Sequence, residues 1–392
     1  MTGQSIENIA AARQRFLLVL LFAGFVLTGV EITLVGPMLP VFIARWSLSD
    51  SQAGGLSAVQ FISSLVGVWL SSAITHHLSS RTSLVLGYLV MASGLAAVNA
   101  STIGVAYFAL GALGLGYGLV VPGTNLAVAE IGGEQSVSLV SLVNFAWGVG
   151  AVSCSPLVLL ALKVGYLSQP LLVIAGFGGV LALSFLFAHF PMGRHATPDT
   201  AKSPGPTVEL RTTVMLAAMF FLYVGIESSL GFWAAEHVQR LAGGRIGIST
   251  LAPMFFYGGL MAGRASAPWI LARVHEYRLG KIEVILVVIG ITLFVIARNQ
   301  QIAFVSLALA GLGCAAIFPI CITWLSRWYG ARSVKMSGFM FSMSSLGSSG
   351  VPPLIGFVSA HAGGLRSGLM VPLACAVVMF GLLLMLRKQA AG

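Results

Sequence analysis

Twelve apolar runs divide this chain, each long enough to cross a hydrocarbon layer, and they restrict it to one class of architecture. They fall at about 16–43, 53–74, 83–99, 102–128, 137–161, 168–189, 211–235, 248–271, 280–297, 301–325, 334–360 and 366–386. A helix of roughly 20 residues spans a core of about 30 Å. Inside lipid every backbone N–H and C=O must be satisfied by protein, so only helices and closed barrels cross it. The short alternating segments of barrel strands are absent. Only 8% of the 392 residues are charged and 57% are hydrophobic, whereas soluble domains carry about 25% charge. The expected fold is an all-α polytopic membrane protein with twelve transmembrane helices.

The halves repeat. Gly29-Val30-Glu31 lies mid-run in span one, and Gly225-Ile226-Glu227 lies mid-run in span seven. Gly114-Leu115-Gly116 precedes Pro122 in span four, and Gly311-Leu312-Gly313 precedes Pro319 in span ten. The two motif pairs recur at offsets of 196 and 197 residues. Two independent motifs at nearly one offset point to a parallel duplication. Small residues allow close helix approach, and proline interrupts the helical ladder. Between the halves lies a polar stretch with Pro191, Pro198, Pro204 and Pro206, too polar to pack and suited to a linker. The expected organisation is a six-helix bundle over 1–190, a cytoplasmic linker over 191–210 and a second six-helix bundle over 211–392.

Lys and Arg set the orientation. With the N-terminus inside, fifteen of the 21 basic residues fall at inner ends and six at outer ends, which favours both termini being cytoplasmic. The net charge of +10 therefore reads as topology, with no nucleic-acid partner. The first run shows no small-residue cleavage pattern of a signal peptide. Cys154, Cys314, Cys321 and Cys375 all lie in spans without metal-ligand spacing, so they are expected to pack as small side chains.

On these features the chain resembles the major facilitator superfamily over essentially its whole length. Within it, the chain is similar to the fucose/glucose permease branch. That closer likeness rests on Gly114 to Gly118 with Pro122 and Asn125, and on Asn144-Phe-Ala-Trp147-Gly148 through Gly150 and Pro156. It also rests on Tyr223 to Glu227 with Trp233, and on the Gly347 to Pro353 region. The resemblance implies two bundles that rock about a central site, lined by spans one, four, seven and ten. There are departures. In the loop between spans two and three, Ala73, His77 and Ser80 stand where the family has Gly, Asp and Gly, and only Arg81 remains. Fucose permeases carry an acid in span four; this chain has Asn125 there, with Glu130 near the cytoplasmic end.

An acid in mid-membrane is costly, about 2.5–3.5 kcal/mol on insertion scales, and marks a functional site by default. Glu31 and Glu227 are the candidates for proton or sodium coupling, and Glu227 also for substrate. Either can instead form a structural hydrogen bond between helices. Gln60, Asn125, Asn144, Trp147, Tyr223, Trp233 and Tyr257 are candidate substrate contacts. Asn144 and Trp147 share a helix face, and amides beside an aromatic suit a sugar. The competing reading for the amides is interhelical bonding. For Trp233, as for Phe341, it is core packing or the aromatic belt, and Tyr223 can serve by holding Glu227. Arg264 snorkels to the interface or pairs with a carboxylate, so it joins Arg81, Glu130, Pro122 and Pro319 as gating or structural residues. Trp324 and Trp328 flank Arg327 and read as interface anchors.

No phosphate loop, nucleotide-binding segment or zinc spacing is present, so the chain is not expected to be an enzyme. The leading expectation is a secondary transporter taking up a small hydroxylated solute, such as a monosaccharide, coupled to H+ or Na+. The alternative is a proton-driven exporter of drugs or metabolites; a non-transporting receptor or scaffold is the third reading. Expected partners are the substrate and the lipid bilayer. No cofactor beyond the coupling ion is expected. The family resemblance implies a monomer, and a bacterial inner membrane is the expected location.

Overall fold

The computed structural model describes residues 3–98, 102–165, 168–188, 190, 208–244 and 246–390. Nearly all of the expected linker lies outside the described residues. Among the described residues, fifteen α-helices form twelve spans. Span one comprises α1 (Gly3–Thr33) and α2 (Val35–Trp46). Spans two to six are α3 (Asp50–His77), α4 (Ser80–Ala97), α5 (Ile103–Gly132), α6 (Ser136–Val164) and α7 (Ser168–Phe187). Spans seven to nine are α8 (Leu210–Leu241), α9 (Ala252–Leu271) and α10 (Glu276–Ile296). Span ten comprises α11 (Gln300–Cys314) and α12 (Ile317–Tyr329), and span eleven is α13 (Ser333–His361). Span twelve comprises α14 (Leu365–Gly368) and α15 (Met370–Ala390). Nine spans are long and apolar enough to cross a membrane by those criteria alone. The other three, α4, α9 and α13, are more polar, and α9 carries Arg264.

The described chain separates into two compact units, with boundaries inside span one (34/35) and span two (58/59) and beyond span six. The first unit holds α1, most of α3, and α4 to α7; the second holds α2, the start of α3, and α8 to α15. Residues 35–58, which belong to the first half by sequence, thus pack with the second unit.

The duplicated Gly-Leu-Gly motif explains the interior of each unit. In the first, α5 runs between α3 and α4. A Cβ at Gly114 would collide with the Gln60 carbonyl, and one at Gly116 would lie 2.6 Å from the Gly87 carbonyl oxygen. In the second, α11 runs between α9 and α10. A Cβ at Gly311 would meet the Phe256 carbonyl, and one at Gly313 would lie 2.6 Å from both the Glu283 carbonyl oxygen and the Val287 nitrogen. The two glycines of each motif face opposite neighbours, so a side chain at either position would push a whole span outward.

The halves diverge at the prolines. Pro122 lies inside the continuous α5. Pro319, its counterpart, follows an interruption between Cys314 and Ile317 that splits span ten. Span one is also split, at Leu34 ahead of Pro37 and Pro40. There Gln60 Nε2 donates to the Ile32 carbonyl at 3.0 Å.

Candidate functional site

The two repeated acids occupy opposite environments. Glu31, near the end of α1, is fully buried, and neither carboxyl oxygen has a hydrogen-bond partner among the described residues. Its Oε1 would lie 3.5 Å from a Cβ built on Gly178 of α7, a position also walled by Ala92 of α4 and by Leu27. The carboxyl is therefore enclosed by α1, α4 and α7 within the first unit. One turn earlier, Thr28 Oγ1 lies 3.4 Å from the Tyr88 hydroxyl. Glu31 thus exposes no surface to a cavity in this conformation.

Glu227, mid-way along α8, keeps 16% of its side chain exposed, and its Oε2 lies 4.0 Å from Arg264 Nη2 of α9. The same Arg264 nitrogen donates to the Tyr223 hydroxyl at 3.3 Å. Tyr223 and Glu227 are four residues apart and share a face of α8. Arg264 pairs with a carboxylate instead of reaching the interface. Its side chain is 28% exposed, and a guanidinium carries five donors. Among the described residues it makes one hydrogen bond and this one distant ion pair. Aromatic rings adjoin the cluster. The Phe318 ring is centred 5.7 Å from Tyr223, 5.4 Å from Phe220 and 6.1 Å from Phe341. Acid, guanidinium, phenol and apolar ring faces thus stand together in the second unit.

In the first unit, Asn144 Nδ2 donates to Asn125 Oδ1 at 2.8 Å and to the Val140 carbonyl at 2.8 Å, while Asn125 Nδ2 donates to the Val121 carbonyl at 2.9 Å. The sequence-predicted amides are therefore joined across α5 and α6, with Asn144 exposed. Trp147 is half-buried on α6, its carbonyl in contact with Gly29 of α1.

Other candidates take structural positions. Gln60 is buried and bonded at the break in span one. Trp233 is fully buried, and its indole donates to the Pro352 carbonyl at 2.9 Å, which leaves no ring surface for lipid or ligand. Tyr257 is buried, with its hydroxyl against Gly231. The Arg81 guanidinium sits 5.9 Å from the centre of the Phe190 ring. Glu130 is exposed near the end of α5. Trp324 is no interface anchor: it is buried and donates to Glu276 Oε1 at 3.0 Å.

Sequence reasoning missed two acidic centres. Glu283 of α10 is buried, and its carboxylate accepts the Ala316 N–H at 2.9 and 3.1 Å, at the break in span ten. It lies near the start of its apolar run. The other centre closes the second unit at the end of α8. Arg240 pairs with Asp50 of α3 and, through Nε at 2.7 Å, with Glu236; Ser359 of α13 also donates to Asp50. The spacing of Glu236 and Arg240, four residues on one helix, was the available signal.

A family model described as Major Facilitator Superfamily matches residues 21–302. No curated protein matches. Among solved structures, the chain is similar to an inward-facing, unoccupied bacterial homologue of the human lysosomal transporter Spinster, at 12% identity and TM-score 0.76, covering 95% of this chain and 96% of that one. It is similar to a D-xylose–proton symporter, at 15% identity and TM-score 0.75, covering 94% and 96%. It is also similar to the E. coli fucose:proton symporter, at 16% identity and TM-score 0.62, covering 94% and 98%. At these identities the likeness is one of fold.

Proposed function

The chain belongs to the Major Facilitator Superfamily, and from that premise, which makes it an integral membrane transporter and not an enzyme, we propose that it couples uptake of a small hydroxylated solute, such as a monosaccharide, to an inward gradient of H+ or Na+. The observation that carries this reading is the part-exposed cluster of Tyr223, Glu227 and Arg264 beside Phe318. Hydroxyls need paired donors and acceptors, and the C–H face of a sugar ring packs on aromatic carbon. The cluster offers both. That two solved relatives in fold are sugar–proton symporters supports the same reading.

Glu227 is the substrate partner in this scheme, because it stands beside Arg264 and retains exposure. Glu31 is the proton carrier. A buried carboxyl without a partner gains most from a change of proton or surroundings. The protein works by alternating access, as a monomer in a bacterial inner membrane with both termini cytoplasmic, and with no cofactor beyond the coupling ion.

The test is a thermal-shift screen of purified protein against pentoses, hexoses, organic acids and cationic drugs, since a ligand of the folded state raises Tm by mass action. A sugar hit that disappears in Glu227→Gln supports the assignment. A sugar hit unaffected by Glu227→Gln and Arg264→Gln removes the site. A response to cationic drugs alone favours the exporter.

A further inference from the structure

The break in span ten has no equivalent in span four. Its counterpart, α5, runs unbroken through the equivalent proline. The two helices meet their neighbours at equivalent points: Gly116 packs on the Gly87 carbonyl, and Gly313 packs on the Glu283 carbonyl. Gly87 and Glu283 are thus structural counterparts, and only the second half has a side chain there. That side chain is a buried carboxylate whose two oxygens both face the Ala316 N–H. A backbone donor released at a helix break must find a partner, and here the partner is an acid, which also complements the positive end of α12.

The other end of α12 is fastened to the same helix. Glu276 of α10 accepts Arg327 Nη1 at 2.6 Å and the Trp324 indole at 3.0 Å. Glu276 and Glu283 are seven residues apart, two turns along one face of α10. This thirteen-residue half-helix is therefore held to span nine at both ends by two acids on one face. It carries Phe318 into contact with Tyr223, whose hydroxyl accepts from Arg264.

We propose that Glu283 is a positioning residue for transport: it holds span ten broken at Ala315–Ala316 and thereby places Phe318 against the Tyr223–Glu227–Arg264 cluster. The role given to that cluster rests on the function proposed above; the clamp itself does not.

Hydrogen exchange by mass spectrometry, on full-length protein in nanodiscs without ligand, tests the clamp. Glu283→Leu should accelerate exchange of the peptide spanning Cys314 to Phe318 by about tenfold or more, the equivalent of one lost charged hydrogen bond. Glu283→Gln, which keeps an acceptor oxygen, should recover most of the protection. Exchange at α5 around Leu119 should not change. Unchanged exchange at 314–318 in Glu283→Leu overturns the proposal, and so does acceleration spread equally over both units. Uptake of labelled D-xylose and L-fucose then tests the link to the cluster. Glu283→Leu and Phe318→Ala should each raise KM by more than they lower the maximal rate, and their effects should be less than additive. Full additivity overturns the link through Phe318. If the wild-type protein moves neither sugar, the preceding functional reading fails, while the exchange result still decides the clamp.

Discussion

Replacing Glu31 by methionine should make this protein more stable and less able to use a proton gradient. The side chain is fully buried and both of its oxygens lack a partner among the described residues. A buried polar group left unsatisfied costs about 1–3 kcal/mol relative to an apolar group of similar shape. Methionine has similar length, no polar atoms that demand a partner, and enough torsional freedom to settle among Leu27, Ala92 and the space over Gly178. Some of the gain is lost to its extra bulk, so the expected net stabilisation is about 1–2 kcal/mol. Glu31→Gln keeps the volume but adds N–H donors to the same enclosure, so it should be neutral or destabilising by about 1 kcal/mol. Thermal unfolding in nanodiscs should therefore rank methionine above wild type, and glutamine at or below it. Solute accumulation driven by an imposed proton gradient in liposomes should fall in both variants, a trade of function for stability. A methionine variant more than 1 kcal/mol less stable than wild type would show that Glu31 has a partner or a hydrating water, and the reasoning would be wrong.

Arg240→Gln should destabilise by about 1–3 kcal/mol, because it leaves Asp50 and Glu236 without their shared cation, while the 37% exposure of Arg240 holds the cost below that of a fully buried pair. Unfolding of the Asp50→Asn/Arg240→Gln double variant should recover part of that loss, and strict additivity would count against the network. Gly311→Val and Gly114→Val should each cost about 1–3 kcal/mol or abolish folding, measured as monodisperse yield and Tm, since each side chain would press on a neighbouring carbonyl. Trp233→Phe should cost about 1 kcal/mol through the lost bond to Pro352 and leave the KM for solute unchanged; a raised KM would return Trp233 to the binding site.

The sequence alone determined the number of spans, their helical nature and the duplication, because lipid admits few structures and the Gly-Leu-Gly motif must recur wherever a helix is pressed between two neighbours. It also named Glu31, Glu227 and Arg264, since charge in a span is rare enough to stand out, and Tyr223, which lies four residues before Glu227 on the same helix face. Tertiary structure decided what surrounds each of them. Span position cannot say which way a side chain turns, and so it could not separate the enclosed Glu31 from the part-exposed Glu227. Nor could it tell that Gln60 and Trp233 bond backbone carbonyls, since an amide or indole that holds a neighbouring helix looks the same in sequence as one that faces a solute. Glu283 shows the difference most clearly. In the sequence it is a charge near the start of a run, and only the approach of span ten, which brings the Ala316 N–H within 2.9 Å, turns it into the partner of a broken helix.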